Sequence, residues 1–262
     1  MTCSARPLFV VATVCILIVS SSVTALASVC EALEFDGLDD CALIPGNEVF
    51  DVQAHTVEAW VRIYSHPYEQ VIVGSCAGGS RWDTFSLWSR GQRLCSSISD
   101  GTHNIELLGT GESLPLGEVL HLAATYDGAC LRTYVNGVKR DSLVWAGVLA
   151  SSSDDPVTIG IDRDLQEGLH DPFFGWIGEV RIWSRALSPS ELVDGPASQA
   201  ELVAHWTFDE DLEDQVIYDS SDNAQHGYLG EFQSVDPRDP TRVDCFTPVE
   251  SASWGTVKAL FR

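Results

Sequence analysis

His55-Thr56-Val57-Glu58-Ala59-Trp60-Val61-Arg62-Ile63 sets Val57, Ala59, Val61 and Ile63 on one side of an extended chain. Thr56, Glu58, Trp60 and Arg62 fall on the other side. A period of two over nine residues predicts a β-strand with one face in a core and one toward solvent. The same reading extends outward in both directions. Gln70–Ser75, Thr84–Ser89 and Arg93–Ser99 form further strands, punctuated by Gly78-Gly79-Ser80 and Arg90-Gly91-Gln92, which gives a meander. His121–Tyr126 and Cys130–Val135 follow, joined at Asp127-Gly128. Asn136-Gly137 then supplies the positive φ values of a type I′ hairpin turn before Val138-Lys139-Arg140. Val157–Ile161, Gly178–Trp183 and Glu201–Phe208 complete the strands.

Only one stretch is helical by pattern. Ser188-Pro189-Ser190-Glu191 combines a capping hydroxyl, Pro at the first helical position and a Glu able to reach back, and Gly195-Pro196 ends the helix. Many strands with one brief helix predict an all-β, antiparallel, two-sheet jelly-roll sandwich.

The N-terminus reads as a secretion signal at residues 1–27. Arg6 precedes the apolar run Leu8–Val19, and Ala25-Leu26-Ala27 carries the small-x-small cleavage pattern. The run is shorter than the roughly 20 residues that span a bilayer. The chain carries a formal charge of −23. Without residues 1–27 it has 14 Lys/Arg against 38 Asp/Glu, a net −24. That balance excludes nucleic acid as a partner, since phosphate binding needs clustered cations. It suits a secreted or cell-surface protein and leaves room for calcium.

Six cysteines follow the signal: Cys30, Cys41, Cys76, Cys95, Cys130 and Cys245. An even number in an exported chain predicts disulfides, and none has metal-site spacing. Cys30 with Cys245 would staple the ends, and Cys76 with Cys95 would bridge nearby strands. The connectivity stays open.

Beyond residue 230 the composition changes. Residues 231–252 read as a linker through Val235-Asp236-Pro237-Arg238-Asp239-Pro240-Thr241. Residues 253–262, Ser-Trp-Gly-Thr-Val-Lys-Ala-Leu-Phe-Arg, form a short apolar and basic tail.

The order of motifs resembles the bacterial laminin-G-like jelly roll of the concanavalin A-like lectin/glucanase superfamily. The matching pieces are Leu33-Glu34-Phe35-Asp36-Gly37-Leu38-Asp39-Asp40, Thr56–Val61, His121–Gly128 and Tyr134-Val135-Asn136-Gly137. The most specific is Phe174-Gly175-Trp176-Ile177-Gly178-Glu179-Val180-Arg181-Ile182-Trp183-Ser184-Arg185-Ala186-Leu187-Ser188. Ala204–Glu210 and Asp219–Asn223 close the set, so the resemblance covers about residues 31–230 within a domain placed at 28–230. It implies two stacked antiparallel sheets and a structural calcium near the first motif, with Asp36, Asp39, Asp40 and Glu179 as ligands. This chain departs from the family at Cys41, where Tyr is common, and at Gly178, where Asp is common. The tail is similar to short tails ending exported bacterial proteins, which implies sorting or docking.

The resemblance leaves function open, because sites rather than folds carry it. A non-catalytic binding or adhesion module for an extracellular glycan or protein is the first expectation. Arg81, Trp82, Asp83 and Trp88 are its candidate ligand residues, since aromatic faces stack on sugars and these lie in the loop-rich meander. Trp60, Trp183 and Trp206 sit in strand motifs and read as packing. A carbohydrate-active enzyme is the alternative. It would need paired carboxylates, offered by Asp209, Asp211 and Glu213 if that segment were a strand. A structural surface protein is the third possibility. The seven histidines form no ligand pair by spacing, and no nucleophile elbow or phosphate loop is present, so no catalytic residue is assigned.

Overall fold

The computed structural model describes residues 31–66, 68–75, 83–151, 155–164 and 168–244. The signal, the tail, Arg81 and Trp82 therefore lie outside the described residues. In chain order the strands are β1 (Glu31–Asp36), β2 (Ala42–Ile44), β3 (His55–Ile63), β4 (Glu69–Ser75), β5 (Phe85–Arg90), β6 (Arg93–Ser99) and β7 (Asn104–Leu107). Next come β8 (Val119–Tyr126), β9 (Cys130–Val135), β10 (Val138–Val144), β11 (Val157–Ile159), β12 (Asp162–Asp164), β13 (Gly168–His170) and β14 (Phe174–Trp183). Helix α1 (Pro189–Asp194) precedes β15 (Leu202–Trp206), β16 (Val216–Ile217), β17 (Gly227–Leu229) and β18 (Thr241–Asp244).

Two antiparallel sheets stack face to face. The first runs β10-β9-β8-β3-β14-β1-β18, with β15 beside the second half of β14. The second runs β16-β17-β2-β11-β4-β5-β6-β7, and β12 with β13 forms a separate hairpin. The alternation of β3 decides which side meets the core. Val57, Ala59, Val61 and Ile63 pack with Ile72, Phe85 and Leu87 of the opposite sheet in one apolar cluster.

The other face of β3 differs from the solvent-facing expectation. Thr56 and Glu58 are buried, because the chain after β14 folds back across them. Thr56 Oγ1 donates to the Arg185 carbonyl and accepts from Leu187 N–H, both at 2.8 Å. Helix α1 completes this cover by packing Leu192 with Ala123, Tyr134, Trp183 and Leu187. The helix starts as its sequence dictates: Ser188 and Glu191 form the reciprocal capping box, with Pro189 inside the first turn. The β9–β10 turn also matches, with φ of 53° at Asn136 and 74° at Gly137.

The folded unit does not end near residue 230. Thr241–Asp244, inside the expected linker, pairs with Glu31–Glu34 of β1 as an edge strand. Arg242 is buried there. Its Nη1 donates to the Phe208 carbonyl at 3.1 Å and its Nη2 to the Val216 carbonyl at 3.0 Å. The acidic segment 209–213 is not a strand. Phe208 turns left-handed at φ 59°, so Asp209, Asp211 and Glu213 lose the alternation a paired-acid site requires.

Candidate functional site

Where β11 stops at Ile159, other groups continue its place beside β4. Gly160 N–H donates to the Ile72 carbonyl, and Val71 N–H donates to the Asp171 carbonyl at 2.9 Å. The chain between them leaves as the β12–β13 hairpin, in which Asp162 pairs directly with His170. Asp171 follows in the left-handed region at φ 51°, a conformation Asp tolerates better than most residues. The result gathers three side chains from one hairpin. Asp171 Oδ2 lies 3.1 Å from His170 Nδ1, and Asp162 Oδ2 lies 3.7 Å from His170 Nε2. One ligand atom from each residue falls within 4.8 Å of the others, and all three residues are half-buried. Two carboxylates and an imidazole match the donor preference of first-row divalent ions, whereas calcium prefers an all-oxygen shell.

The surface next to this cluster belongs to β4 and β5. Val71 packs with Trp88 and Cys95 on the outer face of the second sheet. Trp88, expected as a sugar platform, is buried at 7% exposure. The Arg90 guanidinium covers its ring at 5.2 Å while Glu69 holds Arg90 through a 2.6 Å hydrogen bond. Arg90 also lies 5.6 Å from the ring centre of Tyr68, which is 77% exposed. Tyr68 is thus the open aromatic here, about 10 Å along β4 from Val71 at strand rise. Asp83 sits near Gly74 of the same strand, its Oδ2 3.0 Å from where a Cβ would stand.

Of the expected calcium ligands, Asp36, Asp39 and Asp40 share the turn after β1, and Glu179 lies apart from them. Asp36 Oδ1 accepts from Leu38 N–H, and Asp40 Oδ2 accepts from Asp36 N–H at 2.7 Å, so both carboxylates order the turn after β1. Asp39 faces Arg238 at 3.7 Å. Glu179 lies five residues along β14 from Phe174, the partner of Asp36, which is roughly 16 Å at strand rise. Glu179 instead accepts from His205 Nε2 at 2.8 Å and is paired with Arg181. The bulge residue Gly178, between the Val61–Ile177 and Trp60–Glu179 pairs, fixes this outward position.

The disulfide expectation also needs correction for the described cysteines. Cys41, Cys95 and Cys130 are free thiols. Cys41 adjoins β2 and Cys95 lies on β6, with β11, β4 and β5 between them, about 19 Å across the sheet. Cys130 belongs to the other sheet, and a bridge needs Cα atoms within about 7 Å. Burial pushes the Cys41 thiol up to about 12. Cys30, Cys76 and Cys245 lie outside the described residues.

Residues 36–193 match a laminin-G type family model described as the concanavalin A-like lectin/glucanases superfamily. The chain belongs to this superfamily. Among solved structures, it is similar to a protein of Bacteroides ovatus ATCC 8483 assigned as carbohydrate-binding, at 20% identity and a TM-score of 0.64. That match covers 84% of this chain and 61% of the other, so the chain spans less than two thirds of that protein's length. It is also similar to a heptameric SAP-like pentraxin from Limulus polyphemus, at 14% identity and a TM-score of 0.52, over 78% of this chain and 97% of the pentraxin. No curated protein matches. On this superfamily's sandwich, the Asp162–His170–Asp171 cluster occupies a hairpin outside both sheets. No helix among the described residues is long and apolar enough to cross a membrane.

Proposed function

We propose that the chain is an exported, non-catalytic glycan-binding domain whose ligand site lies at the β12–β13 hairpin and the neighbouring edge of β4. The convergence of Asp162, His170 and Asp171 carries this reading. A divalent ion held by these three residues would coordinate paired sugar hydroxyls, and Tyr68 would offer its exposed ring to a second sugar unit. Loops at the edge of a rigid sandwich are where binding residues concentrate. The superfamily's carbohydrate-binding members support the ligand class. The acids weighed for an enzymatic reading, Asp209, Asp211 and Glu213, do not share a strand.

The test is a glycan array probed in manganese, zinc or calcium and again after chelation, with wild-type and Asp162→Asn protein. Binding that needs an ion and is lost in the variant supports the site. Ion-independent binding that survives Asp162→Asn would move the site elsewhere, and no glycan binding in any ion would overturn the proposal.

A further inference from the structure

The edge of the first sheet joins the two ends of the domain. Its antiparallel ladder pairs Glu34 with Thr241, Leu33 with Arg242, Ala32 with Val243 and Glu31 with Asp244. In such a ladder each step outward on one strand is matched by one step on the other. The next residues in sequence, one beyond the described ladder on each side, are Cys30 and Cys245. We propose that these two cysteines form a disulfide that locks β18 onto β1 and so closes the domain end to end.

Facing supports the pair as well as register. Leu33 and Phe35 pack in the core between the sheets. Ala32 instead lies in a separate cluster with Trp176 and Val243, on the outer face. Side chains along a strand alternate with a period of two. Cys30 therefore takes the side of Ala32, and Cys245 takes the side of Val243, its cross-strand partner. Residues directly opposite in an antiparallel pair have Cα atoms about 4.5 or 5.5 Å apart. Both spacings fall within the roughly 4.4–6.8 Å that a disulfide spans.

The remaining cysteines do not compete on these terms. Cys41, Cys95 and Cys130 are free thiols. Cys76 follows Ser75, the last residue of β4, a strand of the other sheet. Register thus selects one connectivity where spacing alone left the choice open.

Forming the bond takes one hydrogen from each thiol. The two electrons and two protons pass to a protein disulfide of the class that oxidises exported chains, which becomes a dithiol. The cross-link encloses nearly the whole domain, and a loop of that length restricts the unfolded chain strongly. It also keeps Arg242, three residues before Cys245, against the carbonyls that it serves.

The experiment exports the full chain, alkylates free thiols in denaturant without reductant, and maps the digested peptides by mass spectrometry. Cys30 and Cys245 should appear as one linked pair lighter by two hydrogens, with Cys41, Cys95 and Cys130 alkylated. Reductant should lower the thermal midpoint by about 5–15 °C. Cys30→Ser with Cys245→Ser should start at the lower midpoint and ignore reductant. The peptide map on the unaltered chain decides the matter even if that double variant fails to fold. Alkylation of both cysteines without reductant, or a link from either one to Cys76, would overturn the proposal.

Discussion

Glu58 Oε2 and His121 Nε2 meet at 2.9 Å across β3 and β8, with both side chains almost wholly buried. Trp183 Nε1 donates to the other Glu58 oxygen at 3.0 Å, and Arg181 approaches within 3.6 Å. The His121 ring stacks on Trp60 at 4.2 Å, with the Arg181 guanidinium 5.1 Å from the same Trp60 ring. Burial pushes the Glu58 carboxyl up, but its hydrogen bond to His121, the nearby positive charges and Trp183 outweigh that and hold it below its ordinary value. Glu58→Leu would strand these donors in a dry site. The expected loss is about 3–5 kcal/mol, the cost of breaking one side of a buried pair, read by urea denaturation. Glu58→Leu with His121→Leu should recover part of it, and a double variant no better than the single one would refute the pairing.

Two buried groups should drive stability in opposite directions over the same pH range. His55 sits in the core beside Phe85 and Tyr126, and burial lowers it to about 4. The unfolded chain, titrating near 6.5, then binds more protons between those values, so stability falls as pH drops from 6.5 to 4. Asp40 is raised to about 6, chiefly by burial with Asp36, Asp39 and Asp239 adding to it. Here the folded state holds the extra proton, so this contribution is full below pH 4 and fades as pH rises to 6. Each effect is at most about 3 kcal/mol at roughly 1.4 kcal/mol per unit. Thermal melts from pH 4 to 7 should show Asp40→Asn gaining on wild type as pH rises. His55→Leu should lose the acid sensitivity. Parallel profiles for all three proteins would contradict both assignments.

The sandwich was legible because its signals are local. The alternation of Val57 to Ile63, the Asn136-Gly137 turn and the Ser188–Glu191 box each act within a few residues. What stayed hidden depends on partners distant in sequence. Glu58 reads as a solvent-facing acid until the segment after Trp183 is seen to cover it. His170 has no ligand at helical spacing, yet the β12–β13 register sets Asp162 opposite it. Asp36 and Glu179 belong to matching motifs, but register separates them along β14. Trp88 reads as part of a loop-rich stretch, and its packing with Val71 and Cys95 under Arg90 removes it as a platform.

The cap of α1 offers a smaller and cleaner test. Ser188 Oγ accepts from Glu191 N–H at 3.3 Å, and Glu191 returns the bond to Ser188 N–H at 2.9 Å. Hydrogen bonds to Arg185 and to the Ser188 backbone and hydroxyl hold the Glu191 carboxyl down at about 2. Ser188→Ala should cost about 1 kcal/mol, and Ser188→Thr, which keeps the hydroxyl that also donates to Glu191, should largely restore it in the same thermal melts. A loss well above that would mean the hydroxyl does more than cap the helix.

The C-terminal boundary makes the strongest claim about the chain as a unit. The segment Val235-Asp236-Pro237-Arg238-Asp239-Pro240 has a linker's composition, yet Cys41 N–H donates to the Arg238 carbonyl and Gly230 N–H to the Cys41 carbonyl. That anchoring delivers β18 to the free edge of β1, where it closes the first sheet. Arg242 then ties the edge to the loop after β15, with Glu210 taking its charge at 2.5 Å and three carbonyls its remaining Nη protons within 3.3 Å. A buried cation whose Nη protons are all engaged is costly to lose from one side. Arg242→Met should therefore destabilise the domain by about 3–5 kcal/mol, because Glu210 and the carbonyls at 208, 214 and 216 lose their donor. Truncation after Gly230 should cost more, since it also bares the β1 edge to other chains. Urea unfolding of the variant, and the solubility of chains ending at 230 and at 244, decide the point: equal stability and solubility of the two truncations would restore the linker.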